Sequence, residues 1–189
     1  MKSKATLTLG TALAVILAAS SVQAQTSQPQ PSAPNQTTGS APGMQATKAD
    51  QRFVAGAIQA DLAEVQIGKL AQQKGDNDGV KQFGQMLEQD HSQHLQQAQQ
   101  LANQIGVTPP TEPSSEQKST YDKLSKLSGA NFDKQFALAM VRDHREDVAK
   151  FEKQAKEKNA VGTFAGQTVP TLQKHLKTAE ELTSSRQPK

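Results

Sequence analysis

The chain has 189 residues, with 21 Lys and Arg against 18 Asp and Glu, six Phe, one Tyr, no Trp and no Cys. This length allows one modest domain. The absence of Cys excludes disulfide frameworks, thiolate metal sites, thiol nucleophiles and a lipidated N-terminal cysteine. Any chemistry must therefore use His, carboxylate, hydroxyl or backbone groups, and the chain has only four His.

Residues 1–24 are typical of a secretory signal peptide. Lys2 and Lys4 precede an apolar stretch at about residues 7–19, and the small side chains of Val22 and Ala24 fit a cleavage site. Because the stretch is shorter than the roughly 20 residues that span a bilayer, we predict cleavage after Ala24. The rest of the chain has no second hydrophobic run, so we expect a periplasmic or secreted protein without a transmembrane segment or a lipid anchor.

The charge and the composition beyond the signal peptide exclude some partners. Loss of Lys2 and Lys4 reduces the formal net charge from +3 to +1, which removes the main support for nucleic-acid binding. Residues 25–47 contain four Pro, many Gln, Ser and Thr, and no charged or aromatic residue. Such a composition cannot bury enough apolar surface to offset the entropy of ordering. We therefore predict a disordered tether at 25–47 and a disordered C-terminus at 185–189, on either side of a folded domain at 48–184.

Apolar side chains then recur every three or four residues in long segments without Pro, and this spacing predicts helices. The first helix covers about residues 50–74 and ends at Gly75, and the second covers about residues 78–105. A capping-box pattern at Ser114 opens a short helix in the segment that follows.

Two further long helices cover about residues 131–158 and 160–183, and Pro170 should kink or restart the second of them. Short connections make the first and second long helices antiparallel neighbours, and likewise the third and fourth. About 25 residues separate the second from the third, and a helix of 28 residues is about 42 Å long, so this connection can return along the whole bundle. We therefore predict an all-α fold, a ferritin-like four-helix bundle with one long crossover between helices 2 and 3.

All four His lie on the apolar faces of these helices, and carboxylates accompany them. Imidazole and carboxylate groups on facing helices form the metal sites of bundle cores, and a donor set without sulfur suits iron, manganese, zinc or copper. The alternative is a network of neutral His residues hydrogen-bonded to Asp or to one another, without a metal. The candidate ligands for one transition metal are Glu64, His91, His94, His144, Asp147 and His175.

Several short motifs are distinctive when taken together. They are Met86-Leu87-Glu88-Gln89-Asp90-His91, Phe132-Asp133, Met140-Val141-Arg142-Asp143-His144, and Val169-Pro170 followed by Leu172 and His175-Leu176. Over about residues 51–182 the sequence resembles the exported bacterial family called domain of unknown function 4142. The resemblance implies a ferritin-like bundle in an envelope protein and brings no established activity. Its motif positions here are Glu64, Asp90, His91, Asp143, His144 and His175, with Asp90 and Asp143 as acceptors that orient the imidazoles.

The di-iron ferritin pattern is incomplete in this sequence. It needs two Glu-x-x-His motifs, and only Glu88-x-x-His91 is present, since Leu172 stands three residues before His175. Ferroxidase chemistry and a bridged two-metal centre are therefore in doubt. Our leading hypothesis is a non-enzymatic exported bundle with a transition-metal site in its core. The alternatives are a ferritin-like metal-dependent oxidoreductase acting in oxidative or metal stress, and a purely structural or protein-binding bundle.

Overall fold

A computed structural model describes residues 46–184 of the chain. The predicted signal peptide, the predicted tether up to residue 45 and the predicted C-terminal tail lie outside the described residues, so these remain predictions. Thr47, the last residue assigned to the tether, is the N-cap of the first helix and forms a capping box with Asp50.

The described residues fold into five α-helices and contain no strand, which confirms the all-α prediction. None of these helices is long and apolar enough to cross a membrane. The helices are α1 (Lys48–Lys74), α2 (Asp78–Gln104), α3 (Ser115–Ser125), α4 (Gly129–Gln154) and α5 (Ala160–Ser184).

One helix end and one helix interior depart from the prediction. The helix predicted to reach residue 158 ends at Gln154, because Asn159 accepts a hydrogen bond from the N–H of Gly162 and so caps the next helix. Pro170 lies inside α5, and the helix continues through it to Ser184 without the restart that we considered.

The connectivity of the bundle follows from which helix ends lie next to each other. The Gln51 side chain donates to the carbonyl of Ile105 at 3.2 Å, so α2 ends beside the start of α1. The Lys74 ammonium donates to the carbonyl of Leu127 at 3.4 Å, so α4 starts beside the end of α1. Residues 105–128 therefore run the length of the bundle, with α3 packed against α1 and α4 on the way. This is the predicted long crossover, and it makes α2 and α4 parallel.

Two buried carboxylates hold the two ends of the bundle. Asp50 accepts from the side chains of Gln154 at 2.6 Å and Asn159 at 3.2 Å, which ties the start of α1 to the α4–α5 turn. At the opposite end, Asp133 of α4 accepts from the backbone N–H groups of Asp76 and Asn77, both at 3.0 Å. Asp133 thereby satisfies backbone donors at the start of α2, whereas Asp50 pairs two side-chain amides at the other end of the bundle.

Helices α1 and α2 cross in close contact at two glycines. A Cβ atom on Gly68 would lie 2.6 Å from the carbonyl oxygen of Gly84, and one on Gly84 would lie 2.6 Å from the carbonyl oxygen of Gly68. Because both obstacles are backbone atoms, neither position has room for a side chain. The two helices approach this closely only because both residues are glycine.

The apolar core consists of two clusters. The first joins Val54 and Ile58 of α1 to the second halves of α2 and α4 and the first half of α5. The second joins Ile67 and Leu70 of α1 to the first halves of α2 and α4, to α3 and to Ala179. Between these clusters every long helix contributes buried polar residues, which we call the polar layer. Its members are Asp61, Glu64, His91, His144, Thr168 and His175.

Candidate metal centre

Three histidines meet in the polar layer, one from each of α2, α4 and α5. The ring centroids of His91, His144 and His175 are 5.2 to 5.7 Å apart, and each residue is at most 4% exposed. Each ring offers a nitrogen, and the three nitrogens lie within 4.8 Å of one another. We call these residues the three-histidine cluster.

A fixed acceptor holds one nitrogen of each ring. His91 Nδ1 lies 2.9 Å from Asp61 Oδ1, and His175 Nε2 lies 2.9 Å from Asp90 Oδ2. His144 Nδ1 lies 3.1 Å from the carbonyl oxygen of Met140, one turn earlier on α4. Because a carboxylate or carbonyl oxygen can only accept, each of these nitrogens is the protonated donor. In the neutral ring the other nitrogen then carries a lone pair.

Those other nitrogens are buried without a partner. His91 Nε2, His144 Nε2 and His175 Nδ1 have no hydrogen bond, and unpaired buried polar atoms are uncommon in proteins. A point equidistant from three atoms that lie within 4.8 Å of one another is at most about 2.8 Å from each. A zinc–imidazole bond is about 2.0–2.1 Å long, so an inward movement of at most about 0.7 Å brings the rings to binding distance.

Glu64 of α1 completes the unpaired set. It is 5% exposed, and its Oε2 has no hydrogen-bond partner. Burial raises the pKa of Glu64 to about 8; the positive charge of His91 opposes this rise, and Asp143 and Asp147 add to it. Glu64 therefore interacts electrostatically with His91 of the three-histidine cluster and with the carboxylates of Asp143 and Asp147.

Those carboxylates belong to a cavity of about 370 Å³ between α1, α3 and α4, which we call the acidic cavity. Asp143 pairs with Arg142 at 2.9 Å and Asp147 with Lys150 at 3.4 Å. Burial raises the pKa values of Asp143 and Asp147, although these cations oppose the rise.

His94 lies beside the cluster with both ring nitrogens engaged. Its Nδ1 lies 2.8 Å from Asp61 Oδ2, and its Nε2 lies 3.0 Å from the hydroxyl of Thr168. The ring also stacks on Phe164, with centroids 4.6 Å apart. His94 therefore shares with His91 the carboxylate of Asp61 and offers no unengaged nitrogen to an ion.

The structure divides the six predicted ligands into groups. It brings His91, His144 and His175 together, and it buries Glu64 in the same polar layer. It sets His94 in the supporting layer and Asp147 in the acidic cavity. Of the two predicted orienting residues, Asp90 contacts His175, whereas Asp143 contacts Arg142 and faces the cavity.

Asp61 and the Met140 carbonyl hold rings and were not assigned this role from the sequence. Asp61 had one recognisable signal: it stands three and four residues after Ile58 and Ala57, which places a carboxylate among the apolar positions of α1. The Met140 carbonyl had none, because a backbone oxygen is present at every position.

The stability of the metal-free protein should fall as the pH rises from 6.5 to about 8. Burial lowers the pKa of His175 to about 4 and that of His144 well below its usual value. As the pH falls below 6.5, the unfolded chain takes up two protons that these folded rings exclude, and this contribution lowers stability. Burial also raises the pKa of Glu64 to about 8. Burial alone would lower the pKa of His91, but its hydrogen bond to Asp61 and nearby carboxylates raise it.

From pH 6.5 to about 8, the folded protein therefore holds protons that the unfolded chain has lost, and stability falls. Below 6.5 the protons that burial keeps on Glu64, Asp143 and Asp147 oppose the contribution of the two His, so the acid side is the sum of opposing effects. Urea unfolding in EDTA between pH 4 and 9 measures this profile, and His175→Leu should remove its share of the acid destabilisation. Stability that rises steadily from pH 6.5 to 9 would contradict the assignment.

Comparisons with known proteins agree with the fold. The profile of the family described as domain of unknown function (DUF4142) matches residues 34–182. A crystal structure of a DUF305 fragment from Deinococcus radiodurans has a TM-score of 0.67 and 19% sequence identity, and it covers 75% of this chain and 99% of its own. No curated protein matches the chain.

Proposed function

The chain belongs to the DUF4142 family, and we propose that it binds a divalent transition-metal ion through His91, His144 and His175. Because the family description names no activity, the function is inferred from the site. The observation that carries the proposal is the set of three buried ring nitrogens without partners, on three His residues that each offer a nitrogen within 4.8 Å of the others. Buried polar atoms without partners are costly. A cation bound among the three rings would give each of these nitrogens a partner.

The donor set limits the class of ion. Three neutral imidazoles and a nearby carboxylate suit zinc, copper(II), iron(II) and manganese(II), in contrast to the all-oxygen sites of calcium and magnesium. Three protein ligands also leave a fourth position for Glu64 or for water. The acceptors on the opposite ring nitrogens are the usual supports of metal-binding His residues, because they fix the tautomer and the ring orientation.

Titration of the tag-free, EDTA-treated protein with Zn²⁺, Cu²⁺, Fe²⁺ and Mn²⁺ tests the proposal. We expect one equivalent of at least one ion to bind and to raise the melting temperature. His144→Leu should weaken binding by more than 100-fold, because loss of a supporting residue alone weakens metal sites by about 10- to 100-fold. Leucine is chosen because an apolar residue of similar size leaves no unpaired polar atom at this position.

His94→Gln is the matched control, since it removes a histidine from the same layer but not from the three-histidine cluster. Its affinity should fall by no more than the 100-fold expected of a supporting residue. A folded wild-type protein that binds none of the four ions would overturn the proposal, and so would a His144→Leu variant that binds as tightly as wild type. Either result would favour a purely structural layer.

We also infer that the chain is exported and acts in the periplasm or outside the cell, after cleavage behind Ala24. The pattern of residues 1–24 supports this inference. Intact-mass measurement of the protein from a periplasmic or culture-medium fraction tests it. A mature form that begins at Gln25 is expected, whereas an uncleaved chain retained in the cytoplasm would refute it.

A further inference from the structure

We propose that the acidic cavity is the route by which a divalent cation reaches the three-histidine cluster, with Glu64 as the carboxylate that receives the ion at its inner end. This inference rests on the proposed metal binding and assigns a role to a second group of residues. The cavity has a volume of about 370 Å³ and extends from the protein surface to Glu64.

The charges of the cavity favour a cation. Five carboxyl groups line it against three basic side chains, and with Glu64 protonated near neutral pH the other four still outnumber the basic groups. Three ion pairs lie among these residues: Arg142 with Asp143 at 2.9 Å, Lys150 with Asp147 at 3.4 Å, and Lys150 with Glu146 at 3.6 Å. They engage only the Oδ1 atom of each Asp. A narrow opening with excess negative charge and low-dielectric walls concentrates cations and accelerates their association. The carboxylates are Glu64, Glu116, Asp143, Glu146 and Asp147, and the basic residues are Arg52, Arg142 and Lys150.

Glu64 lies at the inner end of the acidic cavity and offers an oxygen that could bind the ion. Its side chain lines the cavity, although the residue is 5% exposed, and Oε2 has no partner. Glu64 also interacts electrostatically with His91 of the cluster and with Asp143 and Asp147 of the cavity. An ion that leaves the two Asp carboxylates therefore meets an unpaired oxygen before it meets the imidazoles.

A second cavity, of about 250 Å³, lies on the other side of the cluster between α2 and α5. It is lined by His91 and His175 of the cluster, and Asp90 is its single carboxylate. Asp90 already accepts from Nε2 of His175 at 2.9 Å, so this cavity offers a cation less negative charge than the acidic cavity does. The charge and the unpaired oxygen of Glu64 therefore favour the acidic cavity as the route, and blocking each cavity in turn distinguishes the two.

Stopped-flow uptake of Zn²⁺ and Co²⁺, followed with a metal-indicator dye, tests the route. In Asp143→Asn/Asp147→Asn we expect the association rate at low salt to fall about tenfold, the lower limit for electrostatic steering. The wild-type rate should fall steeply with ionic strength, and the double variant should depend on it less. Glu157→Gln/Glu181→Gln is the matched control, because it removes two exposed carboxylates that do not line the cavity.

Two substitutions that introduce bulky side chains test the route independently of charge. Ala60 lines the acidic cavity and Thr171 lines the second cavity. Ala60→Phe should slow metal uptake, whereas Thr171→Phe should leave it unchanged.

The outcomes separate the route from the binding function. A wild-type protein that binds no ion removes the proposed function and the route together. A protein that binds an ion, but at equal rates in both double variants and in Ala60→Phe, overturns the route and leaves the function standing.

Discussion

Asp61→Ala should lower the free energy of unfolding of the metal-free protein by about 3–5 kcal/mol, the range found when one partner of a buried charged pair is removed. Asp61 is 2% exposed and holds two rings at once, with Nδ1 of His91 at 2.9 Å and Nδ1 of His94 at 2.8 Å. Alanine leaves both donors buried without an acceptor. Urea unfolding in EDTA measures the loss.

Two further variants separate the unpaired donors from the cavity that alanine creates. Asp61→Asn keeps one acceptor oxygen and most of the volume, so its loss should be smaller than that of alanine. Asp122→Ala makes the same change at an exposed site on α3 and should stay within about 0.5 kcal/mol of wild type. If Asp61→Ala also stayed within 1 kcal/mol, Asp61 would not carry the supporting role assigned here.

Gly68→Ala should destabilise the bundle by about 3 kcal/mol, at the upper end of overpacking. The added methyl group would lie 2.6 Å from the carbonyl oxygen of Gly84 and 2.9 Å from the backbone nitrogen of Glu88. No rotamer change relieves contacts with backbone atoms, so α1 and α2 must separate, and the packing beside the polar layer must loosen with them.

Gly56→Ala is the control in the same helix. A Cβ atom there meets nothing within 4 Å, so the substitution should stabilise the protein by about 0.5–1 kcal/mol through helix propensity. Thermal unfolding of the two variants should therefore shift in opposite directions. Equal shifts would show that propensity, rather than the close approach of the helices, determines the effect.

The sequence was sufficient to predict the architecture, because the fold depends on patterns that it carries directly. Apolar spacing identified the helices, and the segment between the second and third long helices was long enough to require a crossover. The ends of the helices were less predictable from the sequence. The turn before α5 depends on Asn159, whose side chain donates a hydrogen bond to Asp50, 109 residues earlier. No local sequence pattern predicts such a contact.

The candidate site was predictable in part for a similar reason. His91, His144 and His175 occupy apolar positions, so their direction toward the core follows from helical periodicity. Their hydrogen-bond partners do not follow from helical periodicity. Asp143 precedes His144 in the sequence, but adjacent residues on a helix point about 100° apart, and Asp143 faces the acidic cavity. Asp90 likewise turns away from His91 and reaches His175 on α5. Only the packing of the helices determines these pairs.

The polar layer also bears on how the four helices find their alignment. Aliphatic and aromatic side chains fit one another in several ways, so an apolar interface alone lets one helix slide past its neighbour by a turn of about 5.4 Å. After such a slip, Asp61 would lose His91 and His94, and Asp90 would lose His175. Each buried group left without a partner costs about 1–3 kcal/mol. The layer therefore selects a single register for the bundle, as one buried polar residue does in a coiled coil, even before any ion binds.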